Sequence, residues 1–394
     1  METRGIVRKR RVIPIPPTSP LPATRGSLFP GRARPSIFWR ETLKKIITLC
    51  VFLSFLTLPP LAQAGTLRLL TWNGYAPEAL IQKFEEEFKT QVHVTVSNNE
   101  EMIGMLIASG GGGFDLVQPS QDRVISGQEA GKIYQPMDYS RIDESLFIPS
   151  MLENVKKNTQ IDGKSYGVPF CWGTSALIVN KKYAPQASSF KDLFDPAYKG
   201  RISYRLQRPI LIGTAFALGY NPFELYGDEK AYRNMLDKVA QKLIENKSLL
   251  AGYWASSKEL LEAMSTEKVV LAKGWDNDAF KLHAQNPDLD FVAPETGALG
   301  WIDTFVLAAG AENVEAAYNW INFVMRPENA ALFTNAEKIP TASKDAGAFL
   351  DPAVKDNFDR CLPPEVIDNI KWYPPLPSRL ESLELTTLDV IRAK

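Results

Sequence analysis

Five short segments carry the residue types that suit ligand chemistry. Trp72-Asn73-Gly74-Tyr75 follows the apolar run TLRLLTW (66–72), and Ser120-Gln121-Asp122 follows FDLV. Phe170-Cys171-Trp172-Gly173 lies in the apolar stretch 166–180. Trp275-Asp276-Asn277-Asp278 follows KVVLAKG, and Trp301-Ile302-Asp303 stands in the extended stretch 291–310. Together they set aromatic rings, hydroxyls and carboxylates at the ends of strand-like runs. Ligands of α/β sheets bind in the crevice outside the carboxyl ends of the strands. Five segments from distant parts of the chain are therefore placed to meet in one cleft. A single Trp at such a point is a core residue by default, because aromatics dominate core burial. Three pairings of Trp with a nearby Tyr or Asp at strand ends favour a binding site instead.

Catalytic readings find little support. The glycines of SGGGGFDLVQPSQD (109–122) suggest a phosphate loop, but the Gly-Lys-Ser/Thr ending of such a loop is missing. The run also precedes a strand, so no helix N-terminus faces its amides. It reads instead as the end of a helix and a tight turn, where glycine supplies positive φ. There is no Gly-x-Ser-x-Gly elbow. A Ser-His-Asp triad would have to use His93 or His283, the only two histidines, and neither stands beside a nucleophile. With two histidines and no Cys-x-x-Cys, neither a metal site nor a cofactor is expected. Carboxylates are plentiful, so a secreted hydrolase with paired carboxylates is the alternative to a binding protein.

The elements that must position these residues read as an α/β fold. The strand at 66–72 is followed by a helix opening at Pro77, with Ala79, Leu80, Phe84 and Phe88 on its apolar face. Val92, Val94 and Val96 alternate in a second strand. A helix over 100–108 ends at the glycines, and FDLVQP forms a third strand. The order β-α-β-α-β implies a sheet with helices on its faces. Helices follow near 210–219, 229–244 and 257–264, with a buried-type strand at 268–275. The helical run 313–335 puts Ala316, Ala317, Trp320, Ile321 and Val324 on one face, and Pro327 breaks it. The tail ends as a helix.

The formal net charge of zero hides an asymmetry. Residues 1–64 hold 11 Lys and Arg against 2 Asp and Glu. The rest of the chain is acidic by 9, which argues against nucleic acid as its partner. The leader resembles a secretory signal: Lys44 and Lys45, a 13-residue apolar run at 46–58, then Ala62-Gln63-Ala64. Thirteen residues are too short to cross a bilayer as a helix. Cleavage is expected after Ala64, and a periplasmic location follows. Residues 1–40, rich in Arg and Pro, read either as the result of a start site assigned too early or as an organellar transit peptide. Cys171 and Cys361 remain after cleavage. They either pair in an oxidising compartment or stay as two buried thiols.

From Leu67 to the end, the chain resembles the periplasmic substrate-binding proteins of ABC importers, of the putrescine/spermidine-binding type. The resemblance rests on TWNGYAP, GFDLVQPS, VPFCWGTSALIVN, GWDNDAF, GALGWIDTFVL and INFVMRPENA, in that order. It implies a type II periplasmic-binding-protein fold: two hinge-connected α/β lobes closing on a ligand. The lobes would take residues 65–172 with 303–336, and 173–302 with 337–394. Partners would be a membrane permease and its ATPase, with the receptor a monomer. A sensory binder on the same fold is the other reading. The resemblance carries ligand contacts onto Trp72, Tyr75, Ser120, Trp275, Asp278, Trp301 and Asp303, with Asp122 as an added carboxylate. Rings would stack on a methylene chain and carboxylates would pair with ammonium groups. Departures from the family pattern stand at Gly74, Leu206 and Pro209, where acidic residues are expected. Arg205 and Arg208 appear nearby, so the expected ligand has one cationic end and a neutral or anionic other end. Putrescine or spermidine remains the default.

Overall fold

A computed structural model describes residues 65–394. The expected signal peptide, its apolar run at 46–58 and its cleavage site lie outside the described residues. Among the described residues no helix is long and apolar enough to cross a membrane.

TLRLLTW forms the strand Gly65–Thr71, with Leu67, Leu69 and Leu70 fully buried. Strands Thr90–Val96 and Leu116–Val117 lie parallel to it on either side. The alternating valines share one face, yet only Val92 is buried. Val94 and Val96 are 37% and 54% exposed, because Thr90–Val96 is the edge strand and its far end runs out to the cleft. The helix Asn99–Ser109 ends at Gly110, with φ 62°, followed by Gly111, with φ 82°. The Gly111 amide donates back to the Leu106 carbonyl at 2.7 Å, and a Cβ at Gly111 would sit 2.7 Å from the Ala309 side chain. The glycines thus serve a helix cap and a close approach. Just beyond them, Asp115 is fully buried. It accepts from Arg68 Nε and Nη2 at 3.0 and 2.8 Å, and from the Glu312 and Asn313 amides at 2.8 and 2.9 Å. That carboxylate ties the first strand to the segment leaving the last crossing strand.

Two long strands join the lobes. Val168–Asn180 and Leu299–Ala308 pair antiparallel with each other. Val306 and Leu307 also pair with Leu116–Val117 of the first sheet. The other end of Val168–Asn180 pairs with Leu271–Trp275, which opens the second sheet and is followed by Ile202–Tyr204 and Leu250–Tyr253. Each lobe has its own core. In the first, Phe84 meets Trp320 and Phe323 edge-on at centroid distances of 5.0 and 5.4 Å, locking the helix Glu78–Phe88 onto Val314–Val324. Pro327 breaks the long helical run as expected, standing at the start of a second helix, Pro327–Glu337. In the second lobe, Tyr204, Ile210, Tyr232, Leu236 and Leu388 form the core. Ile339 and Ala342, grouped with the second lobe by sequence, are buried in the first-lobe cluster beside Phe170, and Thr341 bridges to Cys171. The helix Pro352–Cys361 packs with the second lobe, where Phe358 meets Phe280. Cys171 and Cys361 are two free buried thiols, one in each of these clusters.

Candidate functional site

Residues just past the carboxyl ends of both sheets line a single cavity of about 560 Å³. Trp72, Tyr75, Ser120 and Asp122 reach it from the first lobe. Trp301 and Asp303 come from the crossing strand, and Trp275 from the second lobe. The eighth expected residue, Asp278, is not on the wall. It is fully buried, and its carboxylate oxygens have no hydrogen-bond partner among the described residues. Burial pushes its pKa up to about 6, with Lys281 and Ser257 nearby opposing the rise. Ser257 and Lys281 do line the cavity, so Asp278 sits directly behind them.

Asp303 is the most elaborately placed group. The pairing of the two crossing strands slips by a bulge between Asp303 and Thr304. Such a bulge re-aims a side chain. Thr304 meanwhile grips Pro119 through its amide at 2.9 Å and its hydroxyl at 2.8 Å. The bulge and this grip bring Ser120 and Asp303 together. Ser120 donates to Asp303 Oδ1 at 2.6 Å, and the Tyr75 hydroxyl donates to Oδ2 at 2.5 Å. Asn99 holds Ser120 in turn. Burial lifts the Asp303 pKa to about 7, while the two hydroxyls pull it down. A cation arriving beside it would favour the ionised form.

The rings are fixed as firmly. The Trp72 indole N–H donates to the Gln118 carbonyl at 2.9 Å. Trp275 packs edge-on against Trp254, with ring centroids 5.0 Å apart. Trp301 lies over Gly173, where a Cβ would come within 2.4 Å of the indole. Gly173 is thus a seat for the ring.

Asp122 does not offer a free charge. Arg208 holds it at 2.6 Å, and both residues are buried. The same guanidinium holds Glu384 at 2.9 Å and donates to the Tyr226 hydroxyl. The missing acid at Gly74 has a structural counterpart. Gly74 adopts φ 84°, and a Cβ there would lie 2.5 Å from the Glu337 carboxylate. Glu337 lines the cavity and pairs with Lys281 at 2.9 Å. A carboxylate from the end of a distant helix therefore occupies the space of an acidic side chain at position 74. Nothing in the local sequence signals this. Asn99, Ser175 and Gln207 are further lining residues that sequence reasoning missed. Asn99 and Gln207 stand at helix starts that follow strands, a signal the sequence does carry.

Comparison with known proteins agrees with this architecture. The family model for bacterial extracellular solute-binding proteins matches residues 79–360. The spermidine/putrescine-binding periplasmic protein of Escherichia coli K12 is 30% identical over 321 residues, covering 78% of this chain and 86% of that protein. The putrescine/cadaverine-binding protein of Pseudomonas aeruginosa PAO1 is 26% identical over 310 residues, covering 74% and 83%. Among solved structures, a putative spermidine/putrescine ABC transporter protein from Listeria monocytogenes superposes with a TM-score of 0.73 at 25% identity, covering 84% of this chain and 99% of that one. Two lobes, crossing strands, a cleft at the strand ends and these likenesses lead to one conclusion: the chain belongs to the bacterial extracellular solute-binding protein family.

Proposed function

We propose that the protein is the periplasmic receptor of an ABC importer and binds a polyamine or related small amine between its lobes. The observation that carries this is the join of Asp303 to the rings around it. A buried carboxylate, fixed by Tyr75 and Ser120, shares a cavity with Trp72, Trp275 and Trp301. That combination suits an ammonium on a short apolar chain, since rings offer π-faces to cations and methylenes alike and the carboxylate forms charge-assisted hydrogen bonds. The names of the relatives support the same ligand class. The receptor is exported by its leader, cleaved after Ala64. It acts as a monomer and hands its ligand to a permease driven by an ATPase.

The test is to express the whole chain in a Gram-negative host and analyse the periplasmic protein by mass spectrometry. A mature N-terminus at Gly65 and a co-purifying amine, absent from Asp303→Ala, are expected. A protein retained in the cytoplasm with an uncleaved leader contradicts export. A co-purifying solute without an amino group contradicts the ligand class.

A further inference from the structure

Sorted by lobe, the charged side chains of the cavity show a polarised cleft. Among the described residues, the carboxylates on its wall are Glu100, Glu101, Asp122, Asp303 and Glu337, from the first lobe and the crossing strand. The second lobe contributes the cations Arg205, Arg208, Lys258 and Lys281, against one from the first lobe, Arg123. Much of this charge is matched internally. Arg208 holds Asp122, Lys281 holds Glu337, and Arg123 holds Glu100 at 3.1 Å. Lys258 is exposed and solvated.

Arg205 is different. It is half-buried, its guanidinium lies 5.7 Å over the Trp275 ring, and it forms no ion pair among the described residues. Glu100 and Glu101 act on it only at a distance, from the solvated rim. The strand that carries Trp275 also holds a buried amine. Lys273 is 3% exposed, and its Nζ bonds Ser175 Oγ at 2.6 Å without a carboxylate among the described residues. Ser175 lines the cavity. Because its oxygen accepts from the lysine, its O–H is left to donate. The Trp301 indole N–H, buried on the neighbouring strand, has no acceptor among the described residues. Trp275 pairs with Ser175 in the sheet, so this stretch of wall brings together an unpaired guanidinium, a buried amine and a hydroxyl donor, among the described residues. Leaving a half-buried guanidinium and a donor unmatched costs free energy, and an anion placed against Arg205 and Ser175 would offset that cost.

We propose, on the receptor reading above, that the ligand carries a carboxylate as well as an ammonium, so that it is an ω-amino acid or similar zwitterion and not a diamine. The ammonium lies against Asp303. The carboxylate lies against Arg205 and Ser175, with Lys273 behind, and a guanidinium is well shaped for it. Asp122 cannot serve a second ammonium because Arg208 already holds it.

The test is calorimetric titration of the purified, ligand-stripped protein with compounds matched in length: 1,4-diaminobutane against 4-aminobutanoate, and 1,6-diaminohexane against 6-aminohexanoate. In at least one pair the amino acid is expected to bind at least about tenfold more tightly, and Arg205→Met should erase that preference. Arg205→Lys, which keeps the charge, should retain part of it. Circular dichroism confirms that the variants fold. Diamines that bind as tightly as their amino-acid partners in both pairs, or a preference unchanged in Arg205→Met, overturn the zwitterion while leaving the amine receptor standing. Heat from none of the four compounds overturns the zwitterion, and the amine receptor then stands or falls on the longer polyamines.

Discussion

Asp303 carries more of the function than any other single side chain, and its environment gives it a pH signature. Burial raises its pKa to about 7, so the folded protein holds that proton more tightly than the unfolded chain does. The stability tied to it is fully present below about pH 4 and is lost as pH rises through about 7, a change on the order of a few kcal/mol. Asp276 and Asp278 push the same way, since burial raises them to about 7 and about 6. Lys273, lowered to about 7 by burial, pushes the opposite way. Urea unfolding of the ligand-free protein between about pH 4 and about pH 8 isolates the contribution of Asp303. Asp303→Asn is expected to lose less stability across that range than the native chain does. Equal pH slopes would show that Asp303 is already ionised in the empty cleft. The role of this residue was legible in the sequence from its place two positions after Trp301. Its bulge and its two hydroxyl partners were not, because they depend on the register between strands more than 100 residues apart in sequence.

At the level of elements, the lobes are joined by more than their crossing strands. The C-terminal helix Ser378–Ala393 brings Glu384 to Arg208, at the start of the helix Arg208–Ala217, and Arg208 reaches across to Asp122 of the first lobe. Tyr232 adds a hydroxyl to Glu384 at 2.5 Å. A buried network of this kind is worth little against an apolar replacement, but removing one member leaves the others buried without a partner. Arg208→Met is expected to cost about 3–5 kcal/mol in urea unfolding. Adding Asp122→Asn and Glu384→Gln should recover most of that loss. A loss under about 1 kcal/mol for the single variant would mean that the carboxylates find water or other partners. The helices and principal strands were readable because their apolar spacing is local, as with Leu80, Phe84 and Trp320. The Arg208 network was not readable, nor was the approach of Glu337 to Gly74. Both join segments that periodicity treats separately, and one of them places a carboxylate where the sequence shows only glycine.

For the whole molecule, two α/β lobes present their strand ends to one cleft, with the acids on one side and all but one of the bases on the other. That arrangement matches a receptor that closes on its solute, since each lobe alone holds only part of the contact set. The order of motifs was enough to anticipate a two-lobed fold, but not that Ile339 and Ala342 pack with the first lobe. The balance of charge in the cleft needed coordinates, because only they separate Asp122 and Glu337, already paired, from Arg205, which has no ion pair among the described residues. The central claim is that an amine binds between the lobes through Asp303. Its most direct test is calorimetry of the native chain and of Asp303→Ala against a panel of diamines, polyamines and ω-amino acids. The expected result is saturable one-to-one binding of at least one amine, at about micromolar affinity or tighter, lost or weakened at least about a hundredfold in Asp303→Ala. Binding of no amine, or equal binding by the variant, would contradict it.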